Sequence, residues 1–498
     1  MLGILFIKRF KKYFLPFFGG VLGGLSISSY LWIILMPISL SILWGNLNNK
    51  YSNFLWGFAF IAISHYWLVY LHPLTWLGLS WISSILVAFL IWFMCSLLGG
   101  VLVFLWSFLG NNFFSKQNIL NENILHLFTK VLFLSLIWAF GELILSKSPY
   151  FWIGISESLV PGDLYLAGIA RWFGSSGLCV IQLFIGFWLF YIYQKWRSNL
   201  EFKNTLILGL LIISLLHLIG AILLIPIPNN YEYPIAVWQT NIPTREKAKL
   251  NYQKLYEKVI SAQKNALDKD AKLLLMPEGT LPNGFMFKEG SQINTLAGGF
   301  RIYNKKLRSS LLAFNKGDKY FSNFLDKNRL VPLGEKVPEF LAAFPQSQLS
   351  AVGGVEPGES SRYFEWGNNP PLAIAICYEI SNGNIIRKAT KKGAELIISI
   401  SNLDPYPEKI HHQFISLAIM RSIENKRDQL IVSNTGPSGL IRNNGNIESL
   451  LSPNIEEIKD LHPSFIDQNT FYSKFGDTPL IILFLLLFPT TLYVLLKN

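Results

Sequence analysis

Three segments of this 498-residue chain set a chemically capable side chain directly after a short apolar run. In Leu273-Leu274-Leu275-Met276-Pro277-Glu278-Gly279 the group is a carboxylate. In Lys327-Asn328-Arg329-Leu330-Val331-Pro332-Leu333-Gly334-Glu335 an ammonium opens the segment and a carboxylate closes it. In Ala373-Ile374-Ala375-Ile376-Cys377-Tyr378-Glu379 a thiol occupies the last strand position, and a helix-like stretch follows. Cys377 is the sharpest of these candidates. The other two cysteines, Cys95 and Cys179, fall within long apolar stretches where packing is expected, and three cysteines build neither a disulfide framework nor a CxxC zinc site. Cys377 is therefore either a reactive thiol or a small buried hydrophobe. At a strand-to-helix turn the helix N-terminus and a nearby ammonium would favour its thiolate. Glu278 reads as the base that takes the thiol proton or as a solvated turn carboxylate. Lys327 reads as a cation aimed at a developing oxyanion or as a surface lysine. Glu335 and Glu379 either hold that lysine and the next intermediate or serve as salt-bridge partners. His411 and His412 lie where a helix begins after Pro405 and Pro407, without the companions of a papain-like site or an HExxH spacing, so capping or surface roles are expected and no metal.

Short β-rich runs at 234–239, 272–276, 310–314, 372–377, 395–400 and 429–433, bounded by turn residues, predict strands. Helical patterns lie between several of them, as at 246–267 and 410–425. That alternation predicts an α/β domain with a largely buried sheet, whose functional side chains gather at strand ends.

The rest of the chain is of another kind. A mean hydropathy of +0.35, with 51% hydrophobic, 15% aromatic and 15% charged residues, excludes an ordinary cytosolic, disordered or collagen-like protein. Spanning helices need about 20 apolar residues, and seven such stretches are expected before residue 227: 13–28, 31–46, 53–72, 80–109, 127–146, 164–194 and 205–226. An eighth covers 479–496. The sixth is long enough to include an interfacial piece at Arg171, Trp172 and Phe173. The first run lacks an A-x-A-like site and more spans follow it, so it is read as a span and not as a cleaved signal peptide. Lys8, Arg9, Lys11 and Lys12 precede the first span, and Lys50, Lys116, Lys130, Lys195, Arg197 and Lys203 lie in or beside alternate loops. The positive-inside rule then puts the N-terminus in the cytoplasm and residues 227–478 outside. The formal charge of +12 is mostly this topology signal plus ordinary surface charge. No basic stripe interleaved with stacking aromatics points to nucleic acid.

Glu, Lys and Cys in this order at strand ends resemble the nitrilase superfamily of carbon-nitrogen hydrolases. Over essentially its full length the chain is similar to the apolipoprotein N-acyltransferase family. The most specific piece is Leu330-Val331-Pro332-Leu333-Gly334-Glu335-Lys336-Val337-Pro338. Gln239-Thr240-Asn241-Ile242-Pro243, Cys377-Tyr378-Glu379, Ser433-Asn434-Thr435-Gly436 and Phe471-Tyr472-Ser473-Lys474-Phe475-Gly476-Asp477 add to it. Trp67, Trp138, Glu142 and Trp152 match residues the family tends to keep. Departures are Met276 before Pro277-Glu278, Ala248 in place of a tryptophan, and Asn402-Leu403-Asp404-Pro405-Tyr406 in place of Asn-Asp-Ala-Trp-Phe.

The resemblance implies a helical membrane domain of about eight transmembrane helices plus a nitrilase-like αββα sandwich: residues 1–226 and 479–498 in the membrane, and 227–478 a catalytic domain in the periplasm, held at the bacterial inner membrane. It implies Glu278 as general base, Lys327 as oxyanion stabiliser and Cys377 as nucleophile, with Glu335, Tyr378 and Glu379 in support. An acyl chain would pass from a membrane phospholipid, through a cysteine thioester, to the α-amino group of a diacylglyceryl apolipoprotein. A monomer without metal or organic cofactor is expected. Residues 339–360, rich in Gly and Pro, read as an arm that opens over the site. Two other functions are compatible with the residues: a membrane-tethered amidase that gives its acyl group to water, and a transporter or receptor with an outer ligand-binding domain, for which Glu142 is the candidate ionisable residue in a span.

Overall fold

The computed structural model describes residues 2–27, 33–74, 79–114, 119–149, 151–226, 233–244, 251–332, 334–336, 354–404 and 406–497. Up to residue 226 the described chain is helical: α1 (Leu2–Ser26), α2 (Leu35–Gly45), α3 (Lys50–Ser64), α4 (Trp81–Phe114), α5 (Ile124–Lys147), the single turn α6 (Leu164–Ala167), α7 (Ala170–Arg197) and α8 (Lys203–Leu223). Of these, α4, α5, α7 and α8 are long and apolar enough to cross a membrane, while α2 and the stretch Thr478–Pro489 are apolar but shorter. The expected span at 53–72 breaks in two, because α3 ends at Ser64 and a 3-10 helix, Tyr66–Leu71, follows it. In α8, Gly220 is the one buried residue. An apolar helix with so little of its surface fully buried suits a lipid surrounding.

The described chain after residue 226 begins with β1 (Ile235–Gln239), α9 (Tyr252–Asp268), β2 (Leu273–Leu281), β3 (Asn294–Tyr303), β4 (Lys306–Phe314) and β5 (Asn323–Asp326). There follow β6 (Tyr363–Phe364), β7 (Leu372–Ile376), a 3-10 helix (Cys377–Ser381), α10 (Gly383–Lys391), β8 (Leu396–Ser401), α11 (Glu408–Asn425) and β9 (Gln429–Ser433). The chain closes with β10 (Gly439–Ile441), β11 (Ile447–Leu450), β12 (Glu457–Leu461), α12 (Phe471–Phe475) and α13 (Thr478–Lys497). The strands form two six-stranded sheets, ordered β12-β1-β2-β3-β4-β5 and β11-β10-β9-β8-β7-β6. The centre of each is parallel, β1-β2-β3 in one and β7-β8-β9 in the other, and the outer strands are antiparallel.

Alternation along the strands decides the layering, since successive side chains point to opposite faces. Ile235, Val237, Leu273 and Leu275 join the core shared with Ile374, Ile376 and Ile398 of the second sheet. Ala236, Trp238, Leu274 and Met276 face the other way, onto α9. That helix meets them with Leu255, Val259, Ala262 and Ala266, one stripe at helical spacing. The side chain of Asn251 accepts from Gln253 N and caps its start.

Buried on almost every side, α11 is sandwiched between the second sheet and the membrane helices. Ile410, Phe414 and Leu417 pack with β7 to β9. Ile415, Ile419 and Ile423 pack with Leu166, Ile169, Leu178 and Leu224. A further tie is the kink inside α7 at Gly174, φ +64°, where a Cβ would run into the ring of Tyr472 from α12. The piece expected at the interface is here: Arg171 is buried and donates to the Asn443 carbonyl at 2.9 Å and to the Leu223 carbonyl.

Candidate active site

Glu278 stands in a bulge. The pairing of β2 with β3 slips between Met276 and Leu281, which turns the carboxylate out of the ladder. Gly298 on β3 permits this, because a Cβ there would overlap the Glu278 backbone. Lys327 follows β5 directly and its N–H donates to the Ser309 carbonyl at 2.8 Å. Lys327 is 1% exposed, which rules out the surface-lysine alternative. Its ammonium donates to Glu278 Oε1 and to Glu335 Oε1, each at 2.8 Å. Lysine has three donors, so one is left for a third partner. Glu335 is fixed in turn, since its Oε2 accepts from Val331 N at 2.8 Å.

Cys377 follows β7 directly, with φ +57°, and is 9% exposed. A non-glycine residue at positive φ costs about 1–3 kcal/mol and persists only where its surroundings enforce it. Glu379 does the enforcing. Its carboxylate, fully buried, accepts from Ile376 N at 2.9 Å, from Asn328 N at 2.8 Å and from Arg329 N at 3.0 Å, and pairs with the buried Arg362 guanidinium at 3.1 Å. Arg362 also donates to the Asp326 carbonyl at 2.9 Å. One carboxylate thus locks the turn that carries the thiol to the loop that carries the lysine. Glu379 serves the lysine through the backbone beside it, a different role from holding the ammonium. Tyr378 directs its hydroxyl to the Leu330 carbonyl at 2.5 Å.

The electrostatics correct one expectation. Burial pushes the Cys377 thiol up, Glu278 pushes it further, and the Lys327 ammonium offsets only part of this. The group at rest is a thiol and not the thiolate expected from a helix N-terminus, because the helix that follows is a five-residue 3-10 turn and two carboxylates lie nearby. Burial alone would pull Lys327 down, yet Glu278, then Glu335 and Cys377, hold it well above the ordinary lysine range. Burial pushes Glu335 up against the pull of Lys327.

One contact within the site carried no signal in the sequence. Asn402 donates its peptide N–H to Glu278 Oε2 at 3.1 Å, and every residue but proline has that group. Asn434 holds Asn402 in place: its Nδ2 donates to Asn402 Oδ1 at 2.9 Å and its Oδ1 accepts from Thr240 Oγ1 at 2.7 Å and Ile242 N at 2.9 Å. The segments beginning Gln239 and Ser433 are in this way one polar clamp behind Glu278. Tyr406, from the altered loop, packs edge-on against Trp67 with centroids 5.7 Å apart. Burial and then Cys377 push its hydroxyl up.

The remaining candidates fall elsewhere. His411 is buried and α11 starts without a side-chain cap, so it takes neither the capping nor the surface role expected, and burial pulls its pKa down. Among the described residues no cluster of three or more metal-ligating side chains is present. Glu142 accepts from Trp138 Nε1 at 3.0 Å and Ile155 N at 3.1 Å. Of the arm at 339–360, residues 339–353 lie outside the described residues. Residues 355–358 are tied to the site, with Gly358 N donating to the Lys327 carbonyl and Val355 N to the Glu335 carbonyl. Pro405, Ala248, Leu333, Val337 and Pro338 also lie outside the described residues.

No family model matches the chain. It is 56% identical over 486 residues to a protein of Prochlorococcus marinus subsp. pastoris named apolipoprotein N-acyltransferase, with 98% of each chain covered. A protein of the same name from another Prochlorococcus marinus strain is 43% identical, with 93% of each covered. One from Thermotoga maritima is 24% identical over 93% of this chain and 90% of its own. Among solved structures, a Saccharomyces cerevisiae member of branch 10 of the nitrilase superfamily is 17% identical, at a TM-score of 0.35, over 47% of this chain and 91% of its own. An amidase of that superfamily from Nesterenkonia is 14% identical, at a TM-score of 0.36, over 51% and 98%.

Proposed function

The chain belongs to the apolipoprotein N-acyltransferases, and from that membership we propose how its own residues carry the transfer. The observation that carries the reading is a buried ammonium held between two carboxylates beside a thiol that is un-ionised at rest. Such a thiol needs a base as it attacks. Glu278 takes the Cys377 proton while sulfur adds to the ester carbonyl carbon of a membrane phospholipid. The oxyanion that forms meets the Lys327 ammonium, whose third donor is available. As the intermediate collapses, the carbon–oxygen bond to glycerol breaks, and Glu278 returns its proton to the leaving oxygen. A lysophospholipid departs and Cys377 holds the acyl chain as a thioester.

In the second half the α-amino group of a diacylglyceryl apolipoprotein adds to the thioester carbonyl and Glu278 takes an amine proton. The carbon–sulfur bond breaks, the proton returns to sulfur, and an amide is released. Two half-reactions through one covalent intermediate predict ping-pong kinetics. A thioester preserves the free energy of the ester for the amine. Glu335 holds the lysine against the base. Glu379 and Tyr378 are positioning residues for the turn and the loop.

We further read residues 1–226 and 479–498 as the membrane part, with eight crossings, and residues 227–478 as the catalytic part. The four long apolar helices among the described residues and the Lys/Arg bias of alternate loops support an inner-membrane protein with its site on the periplasmic side. Both substrates are lipid-anchored, and a site held at the outer leaflet reaches them without extracting either.

The test is intact-protein mass spectrometry after incubation with a phospholipid, beside Cys377→Ala. Expected is one acyl adduct on the wild type, absent from the variant and discharged by a diacylated lipopeptide. Discharge by water alone would make the protein a hydrolase, and no adduct from any phospholipid would remove Cys377 from the chemistry.

A further inference from the structure

Where the apolar helices meet the second sheet, hydrogen-bond donors gather that are only partly matched by acceptors among the described residues. Lys409, in the first turn of α11, reaches across to α3. Its Nζ donates to the Ile63 carbonyl at 3.0 Å and lies 4.0 Å from the centre of the Tyr66 ring. Among the described residues no carboxylate comes within ion-pair distance of it, and burial pulls its pKa down to about 8. Pro407 opens α11 without a side-chain cap, so that end of the helix also presents N–H groups. Behind the lysine, Trp67 is 6% exposed, and its Nε1 and that of Trp152 are buried with no acceptor among the described residues. The two indoles flank His65, with centroids 6.1 and 6.3 Å away. Gln413, whose Nε2 donates to the Ser64 carbonyl at 2.7 Å, adds one unpartnered acceptor, its Oε1.

Buried donors in native proteins find partners, and a cluster that lacks them is matched by what binds there. The position narrows the ligand. On one side Trp67 packs against Tyr406, which shares its electrostatic surroundings with Cys377. On the other, Val69, Tyr70, Trp81 and Ile82 expose large apolar surface, as residues at a bilayer interface do. We infer that this cluster binds the oxygens of the acyl-donor lipid, with Lys409 on the phosphate and the Trp67 and Trp152 N–H groups on the ester and glyceryl oxygens. The assignment rests on the acyl-transfer reading above and names the part of the donor it recognises. A lysine is a point-charge partner for phosphate, and in a phospholipid the phosphate and the scissile ester are joined through one glycerol. The acceptor's diacylglyceryl group has ester oxygens and no phosphate. Lys409 therefore acts in the first half-reaction alone, while the indoles act in both.

The test uses the full-length protein in vesicles, with adduct formation on Cys377 followed by mass spectrometry. The donors are phosphatidylglycerol and a neutral glycosyl diacylglycerol with the same acyl chains. Lys409→Gln should raise the phosphatidylglycerol concentration for half-maximal acylation about tenfold, the effect of losing a charge-assisted hydrogen bond. It should leave the neutral lipid and the lipopeptide discharge within about twofold, and Lys409→Arg should restore the preference. Trp67→Phe, which keeps the ring packing and removes the N–H, should slow acylation by both lipids. If Lys409→Gln kept the full preference for phosphatidylglycerol while acylating normally, this assignment would fall alone. If the wild type formed no adduct with either lipid, the acyl-transfer reading would fall and take the assignment with it. Competition by millimolar inorganic phosphate, with the lipid preference unaltered in Lys409→Gln, would assign the cluster to a free anion and overturn it.

Discussion

Two buried clusters in this molecule have the same formula, one cation and two carboxylates, and do opposite things. In the first, Lys327 sits between Glu278 and Glu335 at 2.8 Å from each. In the second, Arg421 on α11 pairs with Glu157 of the membrane half and with Glu424 one turn along its own helix, both at 3.2 Å. Glu424 in turn accepts from Ser175 N at the start of the long part of α7. The guanidinium is planar, always charged and suited to holding two surfaces in register. The ammonium is compact, with a donor to spare, and the Cys377 thiol lies beside it. What separates a site from a joint is therefore the third party that the cation faces: Lys327 faces the Cys377 thiol, whereas the thiol near the second cluster, Cys179, answers to the carboxylates Glu142 and Glu157.

The largest effect expected from this contrast is on Cys377. Cys377→Ala should abolish the acyl adduct and reduce turnover by about 10⁴-fold or more, since a covalent route has no substitute. Arg421→Met should still form the adduct. Next in size are the two cations. Lys327→Met should cost about 10²–10³ in turnover per folded molecule, the usual loss for an oxyanion partner. Lys327→Arg should not rescue it, because a fork cannot replace a point donor between two carboxylates. Arg421→Met leaves Glu157 and Glu424 buried without their partner, so a stability loss of about 3–5 kcal/mol is expected, read as a fall in melting temperature. Its turnover per folded molecule should stay within about threefold of wild type, because it touches none of the reacting atoms. Equal losses of turnover in the two methionine variants would erase the distinction.

A smaller effect tests the electrostatics by its sign. Because burial and Glu278 raise the thiol above the ordinary cysteine value of 9.0, Cys377 stays protonated at pH 9, where an ordinary cysteine is half ionised. Its alkylation by iodoacetamide should be slow there and should keep rising at higher pH. Glu278→Gln removes a negative charge and leaves Lys327, so the pKa falls and alkylation at pH 9 should speed up. Acyl transfer should drop in the same variant, because the base is gone. A variant slower in both assays would mean that Glu278 does not set the charge state of the thiol.

The two clusters were also unequally legible in the sequence. Cys377 and Glu278 follow the uniformly apolar runs Leu372–Ile376 and Leu273–Met276, which read as buried strands with functional ends. The strand that makes room for Glu278 was hidden by the same requirement: Gly298 and Gly299 dilute the β pattern of Asn294–Tyr303 because a side chain at 298 would displace Glu278. Asn402 contributes a peptide N–H, which has no signature. Arg421 was illegible for a different reason. It lies on a helix buried on both faces, where hydrophobic periodicity vanishes, and its partner Glu157 is far away in sequence. Residues that answer to a neighbour across the seam cannot be read without the seam.

The smallest effect expected isolates burial as the cause. Lys258 and Glu456 approach to 2.6 Å, closer than any contact of Lys327 or Arg421, but their side chains are 41% and 44% exposed. In water each charge is already solvated, so forming the pair gains little and holding two long side chains costs entropy. Lys258→Ala should shift stability by less than about 1 kcal/mol and leave turnover unchanged, and the shift should shrink further at high salt. The Arg421→Met loss should scarcely respond to salt, because its charges are screened by protein and not by ions. If Lys258→Ala proved as costly as Arg421→Met, distance and not burial would rank the ion pairs, and the buried clusters would lose their special standing.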